Sequence, residues 1–161
     1  MTKKYSQIFL ASILAVGSSL IVSTNAHATS SFATFGDEIV YLAEKQLGLP
    51  YVWGGESPSK GFDCSGLVKF AFQEFNVKLP HRADLQFKYG ENIPREQLKA
   101  GDLLFFKSTR GSWIGHVGIY IGNGKFIHAP RRGKPVKIDK LSNSWYTRQY
   151  MGARRLKPEY F

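Results

Sequence analysis

The stretch GHVGIYIGNGKFIHA, residues 115 to 129, decides how this chain folds. Two runs rich in β-branched and aromatic residues, HVGIYI and KFIHA, flank the turn Gly122-Asn123-Gly124, which is the pattern of a β-hairpin. Further strands are expected around it, DLLFF (102–106) before, PVKI (135–138) and YMGARRL (150–156) after. Ahead of Gly101 the period changes. From Gly36 to Leu47 the apolar residues Ile39, Val40, Ala43 and Leu47 recur at helical spacing, and Gly48 with Pro50 closes that helix. Asp63 is placed to cap a second helix, whose apolar stripe is Leu67, Val68, Ala71, Phe72 and Phe75. A short third helix is expected from His81 to Tyr89, after Pro80. Helices first and strands afterwards predict an α+β domain. Its N-terminal helices would pack on one face of a mainly antiparallel sheet of about five to six strands.

The ends of the chain bound its destination. Lys3 and Lys4 precede an apolar run from Ile8 to Val22 and the small-residue site Ala26-His27-Ala28, the order of a secretory signal peptide. The run is interrupted by Ser12, Gly17, Ser18 and Ser19, too short for a spanning helix of about 20 apolar residues. Residues 1–28 are therefore expected to be removed, with no membrane anchor left, and 29–161 to form a single domain. Losing Lys3 and Lys4 lowers the formal net charge from +10 to +8. A basic exported protein is drawn to anionic polymers of a cell wall, whereas nucleic acid is not an expected partner. The same excess is also compatible with a merely solubilising surface.

Cys64 is the only cysteine, so it cannot form an internal disulfide, and exported chains tend to pair or exclude their thiols. It is either a small core residue or a nucleophile. At the start of a helix the positive end of the macrodipole would lower its pKa. Four histidines are present: His27 leaves with the signal peptide, His81 sits in a polar loop, and His116 and His128 lie on consecutive strands. A two-residue Asn-Gly loop would pair Gly122 with Lys125 and put the two imidazoles on opposite faces. A three-residue loop with a bulge at Gly124 would pair Ile121 with Lys125, and the histidines would share a face. A shared site thus predicts the three-residue loop. His116 would then take the thiol proton and later protonate a leaving amine, with His128 orienting it. Gly115 and Gly118 would leave the sheet bare for a substrate backbone. A zinc site built from Cys64, His116 and His128 competes for the same residues, without close ligand spacing.

Four segments, YVWGGESPSKGFDCSGLV, LPHRADLQ, LKAGDLLFF and GHVGIYIGNGKFIHAP, resemble in order the NlpC-type cell-wall peptidase family, papain-like bacterial cysteine peptidases. The resemblance spans nearly all of residues 29–161. It implies Cys64 as nucleophile, His116 as base and His128 as third polar residue, with Tyr51 joining the Cys64 backbone N–H at an oxyanion. Asp63, Ser65 and Arg82 become substrate-side candidates, Arg82 for a carboxylate, while Asp102 is expected to be structural and Trp53 to line the groove or cover the core. The implied function is a secreted peptidoglycan endopeptidase that cuts the stem peptide between D-γ-glutamyl and the diamino acid through a thioester, as a monomer with no metal or organic cofactor. Arg131, Arg132 and Lys134 are placed to attract carboxylates of that peptide or to form a solvated turn. An N-acetylmuramoyl-L-alanine amidase or other acyl-transfer enzyme on the same residues, and a catalytically silent wall-binding protein, are the alternatives.

Overall fold

The computed structural model describes residues 34–157, so the expected signal peptide lies outside the described residues. The first helix, α1 (Phe35–Glu44), opens on a capping box in which Thr34 and Asp37 bond each other's backbone N–H. The glycine-rich loop holds a small hairpin, β1 (Glu56–Ser57) and β2 (Gly61–Phe62), and leads directly into α2 (Cys64–Gln73). The third helix, α3 (Ala83–Gln86), is shorter than its sequence pattern suggests. Six strands follow: β3 (Glu91–Ile93), β4 (Leu103–Lys107), β5 (Ile114–Gly122), β6 (Lys125–His128), β7 (Lys137–Lys140) and β8 (Tyr150–Arg155), with α4 (Ser144–Gln149) between the last two. They form one antiparallel sheet in the order β3-β8-β4-β5-β6-β7. This is the expected α+β architecture.

Both faces of the sheet are covered, by different parts of the chain. On one, Ile39, Leu67, Val68 and Phe72 of α1 and α2 pack against Phe105, Val117, Ile119 and Ile127. Each such fully buried side chain contributes roughly 1.5–3 kcal/mol of transfer free energy. On the other, Leu104, Phe106, Phe126 and Ala153 are covered by Leu141 and by Tyr146 of α4. No sequence signal announced α4, the β1–β2 hairpin or β3. Among the described residues no helix is long and apolar enough to cross a membrane.

The central hairpin takes the two-residue loop, not the three-residue one that a shared site predicts. Gly122 pairs with Lys125 across a two-residue loop, Asn123-Gly124, with φ of 51° and 68°. Positive φ at both central residues defines the primed turn that matches strand twist. A register shift between Tyr120 and Gly122 inserts Ile121 as an extra residue, so Ile119 pairs with Ile127. The bulge restores the parity that the turn alone would have broken, and His116 and His128 share a face.

Candidate active site

The sequence around Cys64 is folded by a few backbone requirements. Asp63 caps α2: one carboxylate oxygen accepts from Gly66 N–H at 2.7 Å, and the other accepts from Gly54 N–H at 2.8 Å, so one side chain ties the loop to the helix. Gly66 has to be bare, since a Cβ there would lie 2.0 Å from the Gly55 carbonyl oxygen. Gln86 of α3 donates to the carbonyls of Ser65 and Pro80, at 3.0 and 2.8 Å, and holds the first turn from below. Cys64 thereby occupies the first helical position, half-buried, where its own N–H has no intrahelical acceptor. The expected fall in its pKa is not what the surroundings produce. Burial pushes the thiol up to about 11, the Asp63 charge adds to that, and N–H groups of Val117 and Ser65 with the Ser65 hydroxyl pull only partly the other way.

The two histidines are joined in a directional chain. His116 Nε2 lies 2.7 Å from His128 Nδ1, and His128 Nε2 lies 3.0 Å from Asp139 Oδ2. Asp139 also accepts from the Tyr146 hydroxyl at 2.8 Å and from Lys137 Nζ at 2.9 Å. Those contacts, the His128 bond foremost, hold its carboxyl well below the usual carboxylate range against some desolvation. An ionised carboxylate only accepts, so His128 Nε2 must carry the proton. Burial lowers the pKa of His128, which is 0 % exposed, so its ring is neutral and its Nδ1 has the lone pair. His116 Nε2 must then donate to it. Burial, and then the neighbouring His128, holds His116 well below 6.5, which leaves its Nδ1 as the one unengaged nitrogen and a free base.

Cys64, His116 and Tyr51 line one cleft of about 640 Å³, with Asp63 and Ser65 at its floor and the exposed rings of Trp53 and Trp113 at its rim. Trp53 is 76 % exposed and does not cover the core. Burial, with Cys64 and Asp63 adding, raises Tyr51 to about 12, so its hydroxyl stays a donor through the neutral range. The remaining candidates are more engaged within the fold than their sequence suggested. Ser65 is buried with its hydroxyl donating to Asp63 at 3.2 Å. Arg82 forms a two-pronged pair with Asp84, at 3.0 and 2.6 Å. Gly118 is bare for Phe126 rather than for substrate, since a Cβ there would lie 2.6 Å from the ring, and Gly115 lines the cleft but approaches Ser108 as closely. Asp102 is structural, holding Arg155 at 2.7 and 2.8 Å. Among the described residues no group of three His, Cys, Asp or Glu side chains is arranged to hold a metal ion.

Two features escaped the sequence reading. Asp139 is the sole acid in KPVKIDK, and an odd carboxylate on the strand after a histidine strand was a usable signal. Tyr146 had none, because α4 reaches His128 only through the tertiary fold. His81, set aside as a loop residue, bridges Glu56 at 2.9 Å and Asp63 at 3.0 Å.

Residues 48–155 match the model of the NlpC/P60 family. The murein DD-endopeptidase MepH of Escherichia coli (strain K12) is 44 % identical over 115 residues, 70 % of this chain and 42 % of that protein. A gamma-D-glutamyl-L-lysine dipeptidyl-peptidase of Bacillus subtilis (strain 168) is 41 % identical over 120 residues, 74 % of this chain and 40 % of its own. The chain spans less than half the length of either relative. Among solved structures, an NlpC/P60 family protein from Bacillus cereus ATCC 10987 superposes with a TM-score of 0.70 at 37 % identity, covering 74 % of this chain and 39 % of that one.

Proposed function

This chain belongs to the NlpC/P60 family, and from that premise we propose that it is a peptidoglycan hydrolase, a cysteine endopeptidase acting on stem peptides at the D-γ-glutamyl–diamino acid bond. The observation that carries this is the chain His116–His128–Asp139, which presents one free imidazole nitrogen in the cleft that holds Cys64. Thiol and imidazole are both uncharged at rest, so His116 Nδ1 accepts the sulfur proton as sulfur attacks the acyl carbon. The Cys64 N–H and the Tyr51 hydroxyl receive the developing oxyanion. His116 then passes the proton to the departing amine, leaving a thioester. Water, deprotonated by the same nitrogen, hydrolyses it and regenerates the thiol. His128 and the Asp139 carboxylate stabilise the imidazolium formed in each half-reaction. Asp63 and Ser65 shape the acyl side of the cleft, with Arg82 at its margin.

The reading includes export: residues 1–28 act as a signal peptide and 29–161 as the catalytic domain, working outside the cytoplasm as a monomer at the cell wall, held there by positive charge. The test is mass spectrometry of purified muropeptides incubated with residues 29–161 and with Cys64→Ala. Fragments split at the D-γ-glutamyl bond and absent with the variant are expected. Cleavage at the D-Ala bond would reassign the peptide bond, release of the whole stem from the sugar would make the protein an amidase, and no cleavage would leave a wall binder.

A further inference from the structure

A second cavity, of about 620 Å³, adjoins the Cys64 cleft at His116. It shares Ser108, Thr109, Gly115, His116 and Pro130 with the Cys64 cleft but does not contain Cys64. The two differ in charge. The Cys64 cleft sets Asp63 and Asp84 against Arg82 and Arg110 in its wall, whereas the second cavity is lined by Lys107, Arg131, Lys134 and Lys137 and by no acidic residue. Lys137 is engaged by Asp139, while Lys107, Arg131 and Lys134 make no ion pair among the described residues. Three uncompensated cations around a concavity are a standing anion site, because its walls concentrate their field. Its place follows from the chemistry. The His116 nitrogen that takes the sulfur proton is the one that gives it to the amine, so the leaving group departs along the His116 side of the sulfur, where this cavity continues the cleft.

Resting on the hydrolase reading above, we infer that this cavity is the leaving-group subsite and selects an amine component carrying a free carboxylate. Within a stem peptide that carboxylate has two sources. One is the second centre of a dicarboxylic diamino acid, which lysine lacks; the other is the C-terminus of the stem itself. Either would meet Arg131 and Lys134 with charge-assisted hydrogen bonds.

Four synthetic peptides separate these sources, with the γ-D-glutamyl group joined to diaminopimelate or to lysine and each ending in a carboxylate or a carboxamide. kcat/KM is measured for the natural sequence and for the double variant Arg131→Gln, Lys134→Gln. The natural protein should prefer at least one carboxylate-bearing peptide by about tenfold over the lysine carboxamide, the value of one charge-assisted contact. The variant should lose that preference while cutting the lysine carboxamide at an unchanged rate. Preference for the diaminopimelate carboxamide assigns the side-chain source, and preference for the lysine acid assigns the terminus. Equal rates on all four peptides, or a variant that keeps the preference or slows all four alike, would overturn the subsite while leaving the hydrolase standing. Cleavage of none would overturn the hydrolase, and the subsite with it.

Discussion

Two histidine–carboxylate networks flank Cys64, and only one of them can do acid–base work. His81 has a carboxylate on each ring nitrogen, Glu56 at 2.9 Å and Asp63 at 3.0 Å, and it stands partly open to solvent. His116 has a carboxylate on neither. Asp139 is linked to it only through the whole ring of His128, which is buried. Contact with a carboxylate therefore does not mark the base. What marks it is a nitrogen left over once every neighbour's donor or acceptor has been satisfied, and the tautomer chain from Asp139 leaves one on His116 and none on His81. The first network ties the loop at Gly54 to α2, and the second aims a lone pair.

The sharpest way to break this contrast is to exchange the two histidines' fates. His116→Gln should reduce kcat on a soluble stem peptide by about 10³-fold or more, in the range for loss of a positioned general base, and His81→Gln by less than about tenfold. Comparable losses for both would erase the distinction. A subtler attack reverses the chain while keeping its shape. In Asp139→Asn the amide can donate to His128 Nε2, which moves the ring proton to Nδ1, turns that contact around and places the His116 proton on the nitrogen meant to be free. The expected loss in kcat is about 10²-fold or more with KM nearly unchanged, and Tyr146→Phe, which removes one donor from an otherwise intact carboxylate, should cost only a few-fold. Equal, small effects of both would reduce Asp139 to a packing role.

The weakest perturbation is pH itself. With the thiol raised to about 11 and His116 held well below 6.5, lowering the pH through 6.5 should leave the base unprotonated and the activity in place. Iodoacetamide alkylation of Cys64 follows the thiolate fraction, so in the free protein its rate should climb by about tenfold per pH unit up to pH 10. A plateau across the neutral range would instead mean a preformed thiolate–imidazolium pair, and it would put Cys64 under the control of the helix end rather than of its burial.

Much of the molecule was legible because its signals are local. Helical spacing from Ile39 to Leu47, the Asp63 cap and the alternation of HVGIYI and KFIHA are each properties of a dozen residues, and they survive whatever packs against them. The lone cysteine and the histidine pair were recoverable for the same reason, as was the α+β order. Where local rules competed, tertiary structure decided. The turn preference of Asn-Gly won at the hairpin tip, and a bulge at Ile121 satisfied the register that the buried faces of Ile119 and Ile127 require. The pKa of Cys64 is set by how deeply the sheet and helix bury it, which no helix-end rule contains. Asp139 and Tyr146 meet His128 from later in the chain only because β7 and α4 fold back over one face of the sheet. The sequence by itself determined the helices, the strands and the candidate thiol and histidines, since residue type and period are written in it; which nitrogen is free, which carboxylate lies behind it and where the basic cavity forms were decided by contacts between segments far apart in the chain.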